Sequence, residues 1–375
     1  MNKEIKIKAG VSLAIFLFIN FLFSIKYLER ASENYLFISA LIFLLYIVFW
    51  NTKGVLIKIN PYLKWINLIA VSGFIMGSAY VFNLIPVETL NVDRWSIITG
   101  FWDTALSGDY AYFGKGHSGN PPGPMPFYFL LAFPFYLIKE LGFYSLLGIV
   151  AFYGLLHYSK VPEHLKTIGI LLILTSVFYL WEVVSRSNVF INAVLILFSV
   201  VYILRQEKFN SKNILISGVF TGLLLSTRNV FIIPYIITFL FLLRTKKINL
   251  PQVLKLGSIA FLFFILTFLP VVIGHFDDFL IMNPFIVQST FLIPFEYTLG
   301  FILIAVLLSL ACKTNGDVFF YSGLTLFLSI LIYFLYHIIL SGFEAAYFES
   351  RVDISYFILC VPFVVYFLLK SEKAV

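Results

Sequence analysis

Cysteine is almost absent: the chain of 375 residues has two, Cys312 and Cys360. Both fall inside or at the end of apolar runs, which excludes a disulfide framework and a thiolate metal site. Charge is scarce as well, with Asp, Glu, Lys and Arg together only 12% of the residues. The chain has no Walker loop, no G-x-S-x-G, no H-E-x-x-H and no C-x-x-C, so soluble nucleotide cofactors are not indicated. It shows no internal repeat and no low-complexity tail, which lowers the prior for a repeat-built transporter.

What remains is apolar. Hydrophobic residues make up 61% of the chain and aromatics 19%, well above an ordinary soluble domain. A bilayer is crossed by roughly 20 apolar residues in a helix. Apolar segments fall at 9–27, 35–50, 65–85, 126–138, 142–157, 167–184, 188–204, 213–226, 229–243, 253–274, 295–312 and on to 355–370. The basic start followed by an apolar run reads as a signal-anchor helix, since no small-residue cleavage site follows Tyr27-Leu28-Glu29-Arg30. The expected fold is a single all-α polytopic membrane domain over 1–375, with two extra N-terminal helices in 1–64 and a core over 65–370.

Lysine and arginine favour the cytoplasmic side. Placing the N-terminus inside puts the lysine-rich loops inside too: Lys53/Lys58/Lys64, Lys160/Lys166, Lys208/Lys212, Lys246/Lys247 and Lys313. This works if the short, Pro-led 126–138 segment is a partial or re-entrant helix, which leaves about twelve crossings and both termini cytoplasmic. The inside then holds 18 Lys/Arg against 5 Asp/Glu, and the outside 8 against 14. Sixteen of nineteen lysines fall inside, yet five of seven arginines (Arg30, Arg94, Arg186, Arg228, Arg351) fall outside. Arginine is the residue for bidentate phosphate contacts. The net charge of +7 therefore reads as membrane topology and gives no sign of a nucleic-acid partner.

The longest polar interruption is the outer loop over 86–125. It holds Asp93, Arg94, Asp103, Asp109 and His117, and exits through Asn120-Pro121-Pro122-Gly123-Pro124. Its aromatics, Trp95, Phe101, Trp102, Tyr110, Tyr112 and Phe113, are too many for a disordered segment, so an ordered active-site roof is expected. Apolar residues at 95, 98, 102 and 106 suit an interfacial helix with Asp93 at its N-cap. Capping alone would explain Asp93. Asp103 reads as a solvated helix face, Asp109 as a turn residue and His117 as a solvated histidine or a ligand.

Other outer arginines carry a structural alternative beside the functional one. Arg186 has Glu182 four residues before it, an i, i+4 ion pair. Arg228 lies between long apolar stretches with no acid nearby in sequence, where snorkelling is the alternative. Arg351 has Glu349 and Asp353 as neighbours for a salt bridge. Asp277 and Asp278 read as a solvated turn, with a divalent-cation site as the alternative. No cofactor is otherwise called for.

One outer carboxylate, several arginines and aromatics at membrane depth suit a lipid-linked phosphate donor. A phosphate leaving group needs cations rather than a general acid, and one carboxylate suffices to take the acceptor's proton. This arrangement resembles the C-type (GT-C) superfamily of integral-membrane glycosyltransferases, which includes protein O-mannosyltransferases and lipid A aminoarabinose transferases. The resemblance rests on Asp93-Arg94-Trp95 in the first large outer loop, the Asn120 to Pro124 run, Ser185-Arg186 followed by Asn192, and Arg351 before the Pro362-containing helix. At Asn192 the family has Asp, and here two helices rather than one precede the loop-bearing helix.

The resemblance implies transfer of a sugar, a hexose such as mannose, from a polyprenyl-phosphate donor to a lipid, glycan or protein acceptor. The reaction would sit on the non-cytoplasmic face of a bacterial plasma membrane. Asp93 is the expected base and Arg186, Arg228 and Arg351 the expected phosphate ligands. Arg94, Asp109, His117, Asn192 and Glu349 support them. The alternatives are an O-antigen polymerase or ligase, which needs outer arginines but not Asp93, and a flippase for a lipid-linked sugar.

Overall fold

The computed structural model describes residues 3–373 apart from 53, 55, 57–59, 91 and 292. Lys53 and Lys58 of the expected inner loop lie outside the described residues. Among those described, every regular element is a helix. Six helices are long and apolar enough to cross a membrane: α1 (Lys3–Leu28), α2 (Tyr35–Thr52), α3 (Leu63–Leu84), α12 (Leu250–Val272), α16 (Asn315–Ser341) and the last, Ile354–Glu372. The number rises to eight if each of two bent pairs is one span. The chain thus has the build of a multi-pass membrane protein. The expected twelve crossings are not reached on length and apolarity alone. They require the shorter helices as well: α9 (Val189–Leu204), α10 (Ser211–Leu225), α11 (Ile232–Arg244) and α15 (Phe295–Ala311).

Burial sorts the long helices. The last one, a 3-10 turn over Ile354–Cys360 running into α18 (Val361–Lys373), is almost wholly enclosed and packs against α1, α16 and α9. It is apolar all round because it is the centre of the bundle. By contrast α2, α3 and α12 leave most of their apolar surface open, the pattern of helices whose partner is lipid. Hydrophobic periodicity cannot distinguish these two cases.

The first bent pair joins α5 (Pro126–Leu137) to α6 (Gly142–Tyr158) at 115°. The short α5 is the expected partial helix over 126–138. It carries Pro134 internally and ends in a turn where Lys139 takes a left-handed φ of 61°. The second pair, α7 (Glu163–Leu174) and α8 (Val177–Val184), breaks by 60° inside the apolar run read as one segment, 167–184. The break is chemical. Thr175 Oγ1 donates to Leu171 O at 2.7 Å and Ser176 Oγ to Ile173 O at 2.6 Å, so side-chain hydroxyls take carbonyls at the end of the helix. The freed backbone groups find partners on other helices. Asn20 Oδ1 accepts from Val177 N at 2.9 Å, and Tyr46 Oη donates to Thr175 O at 2.7 Å. Irregular backbone at membrane depth persists only when satisfied in this way.

The described residues of the 86–125 loop are ordered, as expected. The loop builds its own apolar cluster around α4 (Asp93–Leu106), with Ile98, Phe101, Tyr110, Tyr112, Tyr128 and Phe129 buried together. Phe101 and Phe129 stack at 3.8 Å between centroids, and Trp102 Nε1 donates to Phe129 O at 3.1 Å. The segment after Phe113 lies directly on α4. A Cβ at Gly100 would stand 2.5 Å from Lys115 O, and one at Gly114 2.4 Å from Gly100 O, so this contact needs both glycines. The buried face of α4 runs through Ser96, Ile98 and Phe101, whereas Leu106 is exposed.

Candidate functional site: two arginines on one tyrosine

Four chain segments converge: the start of α4, the α10–α11 turn, the N-terminus of α5 and the 3-10 turn before α18. The Pro-rich exit of the 86–125 loop delivers α5 onto the α10–α11 turn. Met125 N donates to Thr227 O at 3.2 Å and Tyr128 N to Ser226 O at 3.3 Å, with Pro126 in the first helical turn, where the missing N–H costs nothing. Tyr128 is thereby set under Arg228, whose Cζ stands 5.3 Å from its ring centroid. The same guanidinium is 5.5 Å from the ring of Tyr356, and Arg94 is 5.1 Å from that ring.

The two arginines differ in their partners. Arg94 is paired with Asp353 and also donates to Ser355 Oγ. Burial alone would lower its pKa, but the Asp353 charge outweighs this and the guanidinium is held protonated. Burial likewise pushes Asp353 up, and Arg94 together with Ser355 more than reverses it, so its pKa lies below the usual carboxylate value. Arg228 has no ion pair among the described residues, and its buried Nε has no hydrogen-bond partner. Two tyrosine rings hold a cation with unspent donors, and such a group is set to receive an anion.

Two further groups complete the surroundings. Glu182 on α8 is fully buried; its Oε1 accepts from Phe190 N at 2.7 Å, and the nearby cations acting on it are Arg94 and Arg228. Lys26, at the end of α1, is buried over the ring of Tyr347, with Asp353 the acid that acts on it. Three cations, Lys26, Arg94 and Arg228, thus stand with two acids, Asp353 and Glu182.

Asp93 is the first residue within α4. Val92 is the N-cap and no side-chain cap bond forms, so helix capping does not account for the carboxylate. It anchors the 86–125 loop instead: Oδ1 accepts from Ser118 N at 2.7 Å and Oδ2 from Asn120 Nδ2 at 2.8 Å. Two of its lone-pair positions are used and others remain.

Arg186 sits elsewhere. It has a left-handed φ of 54°, and its ion pair is with Glu140 at 3.2 Å, not Glu182. It also donates to Val184 O at 2.7 Å, Ile85 O at 2.8 Å and Phe82 O at 3.3 Å. With Glu140 Oε1 accepting from Gly142 N at 2.8 Å, this one guanidinium ties the α5–α6 bend to the ends of α3 and α8. Asn192 is buried, donating to Asn188 O at 2.7 Å. Asp109 is exposed and accepts from Ser107 Oγ at 3.2 Å, as a turn residue does. His117, Glu349 and Arg351 are exposed. Asp103 accepts from Tyr136 Oη at 2.6 Å.

The structure therefore brings Arg94 and Arg228 onto one tyrosine ring, whereas Arg186 spends its donors on Glu140 and three carbonyls and Arg351 is exposed. Sequence reasoning did not reach Tyr128, Tyr356 or Lys26. It named Glu182 and Asp353 only as partners for Arg186 and Arg351. Among the described residues no three His, Cys, Asp or Glu side chains converge as metal ligands. Comparison with protein-family models, with curated proteins and with solved structures finds no match.

Proposed function

We propose that the chain is a membrane glycosyltransferase. It takes a sugar, a hexose such as mannose, from a polyprenyl-phosphate donor and passes it to an acceptor on the non-cytoplasmic face of the plasma membrane. The observation that carries this reading is Arg228, a partly buried guanidinium without an acid partner among the described residues, set on Tyr128 and Tyr356 beside Arg94. Arginines in a low-dielectric site stabilise charge that develops on a leaving phosphate.

In the transfer, the sugar C1–O bond to phosphate breaks and its electron pair stays on the phosphate oxygen, facing Arg94 and Arg228. The acceptor oxygen forms the new bond to C1, and its proton passes to the Asp93 carboxylate. Asp93 and Arg94 start from Cα atoms about 3.8 Å apart, so one helix turn supplies base and cation. Ser118 N–H and Asn120 hold the carboxylate oriented. Arg186, with its donors committed, acts as a strut, and Arg351 is exposed. Twelve crossings with cytoplasmic termini place this face outward, on the strength of the lysine distribution.

The test is turnover of a panel of polyprenyl-phosphate sugars by the protein in lipid, with Asp93→Asn and Arg228→Ala alongside. The expected result is turnover by the wild type, lost in Asp93→Asn with donor binding retained, and donor binding lost in Arg228→Ala. Full turnover by Asp93→Asn would remove it as the base. Donor that crosses the bilayer unchanged would make the protein a transporter.

A further inference from the structure

The junction of α8 and α9 holds more unpaired buried polarity than the transfer step uses. Glu182 is 0% exposed and Asn188 1%. Oε2 of Glu182, both side-chain polar atoms of Asn188 and Oγ of Ser187 have no hydrogen-bond partner among the described residues. Asn188 is the N-cap of α9 yet makes no capping bond. Leaving such groups unpaired is costly, and a cluster of them is what the hydroxyls of a ligand would satisfy.

We infer that Glu182 and Asn188 form the headgroup subsite, binding hydroxyls of the sugar carried by the lipid phosphate at Arg94 and Arg228. This rests on the phosphate-binding reading of that pair. The chemistry divides the donor in two. A carboxyl group exchanges hydrogen bonds with a hydroxyl and offers a phosphate no cation; the Asn188 amide donates to one hydroxyl and accepts from another. Because Arg94 and Arg228 are the cations acting on Glu182, phosphate is drawn to the arginines and the neutral ring to the acid and amide. The opposed preferences fix which way the donor lies. A buried site built to hydrogen-bond a hydroxyl discriminates strongly against a ligand that lacks it.

The test compares binding of bare polyprenyl phosphate and of a polyprenyl-phosphate hexose to the full chain in lipid nanodiscs. Glu182→Gln suits it, because the glutamine oxygen still accepts from Phe190 N while the free oxygen becomes an N–H₂ donor. The wild type is expected to prefer the glycosylated lipid, and the variant to lose that preference by about tenfold or more. Bare polyprenyl phosphate should bind the variant about as tightly as before, because the substitution is nearly isosteric and leaves both arginines in place. A merely structural Glu182 would weaken both lipids together, and that outcome overturns the subsite. Asn188→Ser deletes the amide and leaves a good helix cap, so it reads the same preference in a fold little disturbed; a preference unchanged in both variants also overturns it. If the wild type binds both lipids equally and Arg228→Ala weakens both, the phosphate site stands and the sugar subsite falls. If the wild type binds neither, both fall.

Discussion

Arg186→Ala separates a structural arginine from a ligand-binding one. The substitution removes a guanidinium that serves Glu140, Val184 O, Ile85 O and Phe82 O. Breaking a buried ion pair by deleting one partner costs about 3–5 kcal/mol. The Glu140 side chain is 23% exposed and recovers some hydration, so the expected loss is at the low end, about 3 kcal/mol. The backbone supplies an internal control. Arg186 has a φ of 54°, a left-handed conformation that costs an L-residue about 1–2 kcal/mol and glycine almost nothing. Arg186→Gly is therefore expected to be more stable than Arg186→Ala by about 1 kcal/mol, although it loses the same contacts. The assay is reversible unfolding of both variants in a bilayer mimetic, with lipid-phosphate binding measured on the folded fraction. A variant as stable as the wild type that had lost lipid-phosphate binding would refute the strut and return Arg186 to the ligand site.

Three other outcomes follow from the same geometry. Arg228→Met keeps the apolar stem and removes an unpaired buried donor, so stability should hold or rise by about 1 kcal/mol while lipid-phosphate affinity collapses; a loss of stability would mean that the guanidinium has a structural partner. Asn20→Ala strips Val177 N of its acceptor at the α7–α8 break and should cost about 1–3 kcal/mol, with faster amide exchange at Val177 as its local sign. The Asp353 pKa is lowered in the folded chain, so its contribution is fully present above the unfolded value of about 3.9. That contribution is lost as pH falls through the lower folded value. Stability measured from pH 6 to 9 should show no step from this pair, and Asp353→Asn should flatten the acid limb.

The helices were legible in the sequence because apolar runs of membrane length, repeated along one chain, are hard to bury in any fold surrounded by water. The 86–125 loop was legible because its aromatics needed a core. The α7–α8 break was hidden. Nothing in Leu174-Thr175-Ser176-Val177 breaks a helix by itself, and the acceptor for Val177 N comes from Asn20, 157 residues away. The Arg186 pairing was hidden for a related reason. An i, i+4 partner requires a continuous helix, but α8 stops at Val184 and the chain turns left-handed at Arg186. The acid that it finds, Glu140, lies across a bend that periodicity does not report. Tyr128 and Tyr356 were invisible among 22 tyrosines, since only the fold says which ones meet a guanidinium.

The contrast between Arg186 and Arg228 shows why arginine content on one face was not enough to choose the site. Their sequence settings are nearly alike, Ser185-Arg186-Ser187-Asn188 and Thr227-Arg228-Asn229, each at a turn between apolar helices. The backbone decides between them. At Arg186 the left-handed turn ends α8 and the side chain meets carbonyls at the ends of α8 and α3, which consume its donors. At Arg228 the backbone is extended, with φ −154° and ψ 137°, and the side chain meets aromatic faces, which hold a cation without using its N–H groups. A guanidinium satisfied by carbonyls is finished, whereas one held by rings still has donors to give. An anion therefore gains more at Arg228 than at Arg186, whatever the residue counts on that face, and Arg94, whose Asp353 partner leaves it on the same tyrosine, is the neighbour that shares the load.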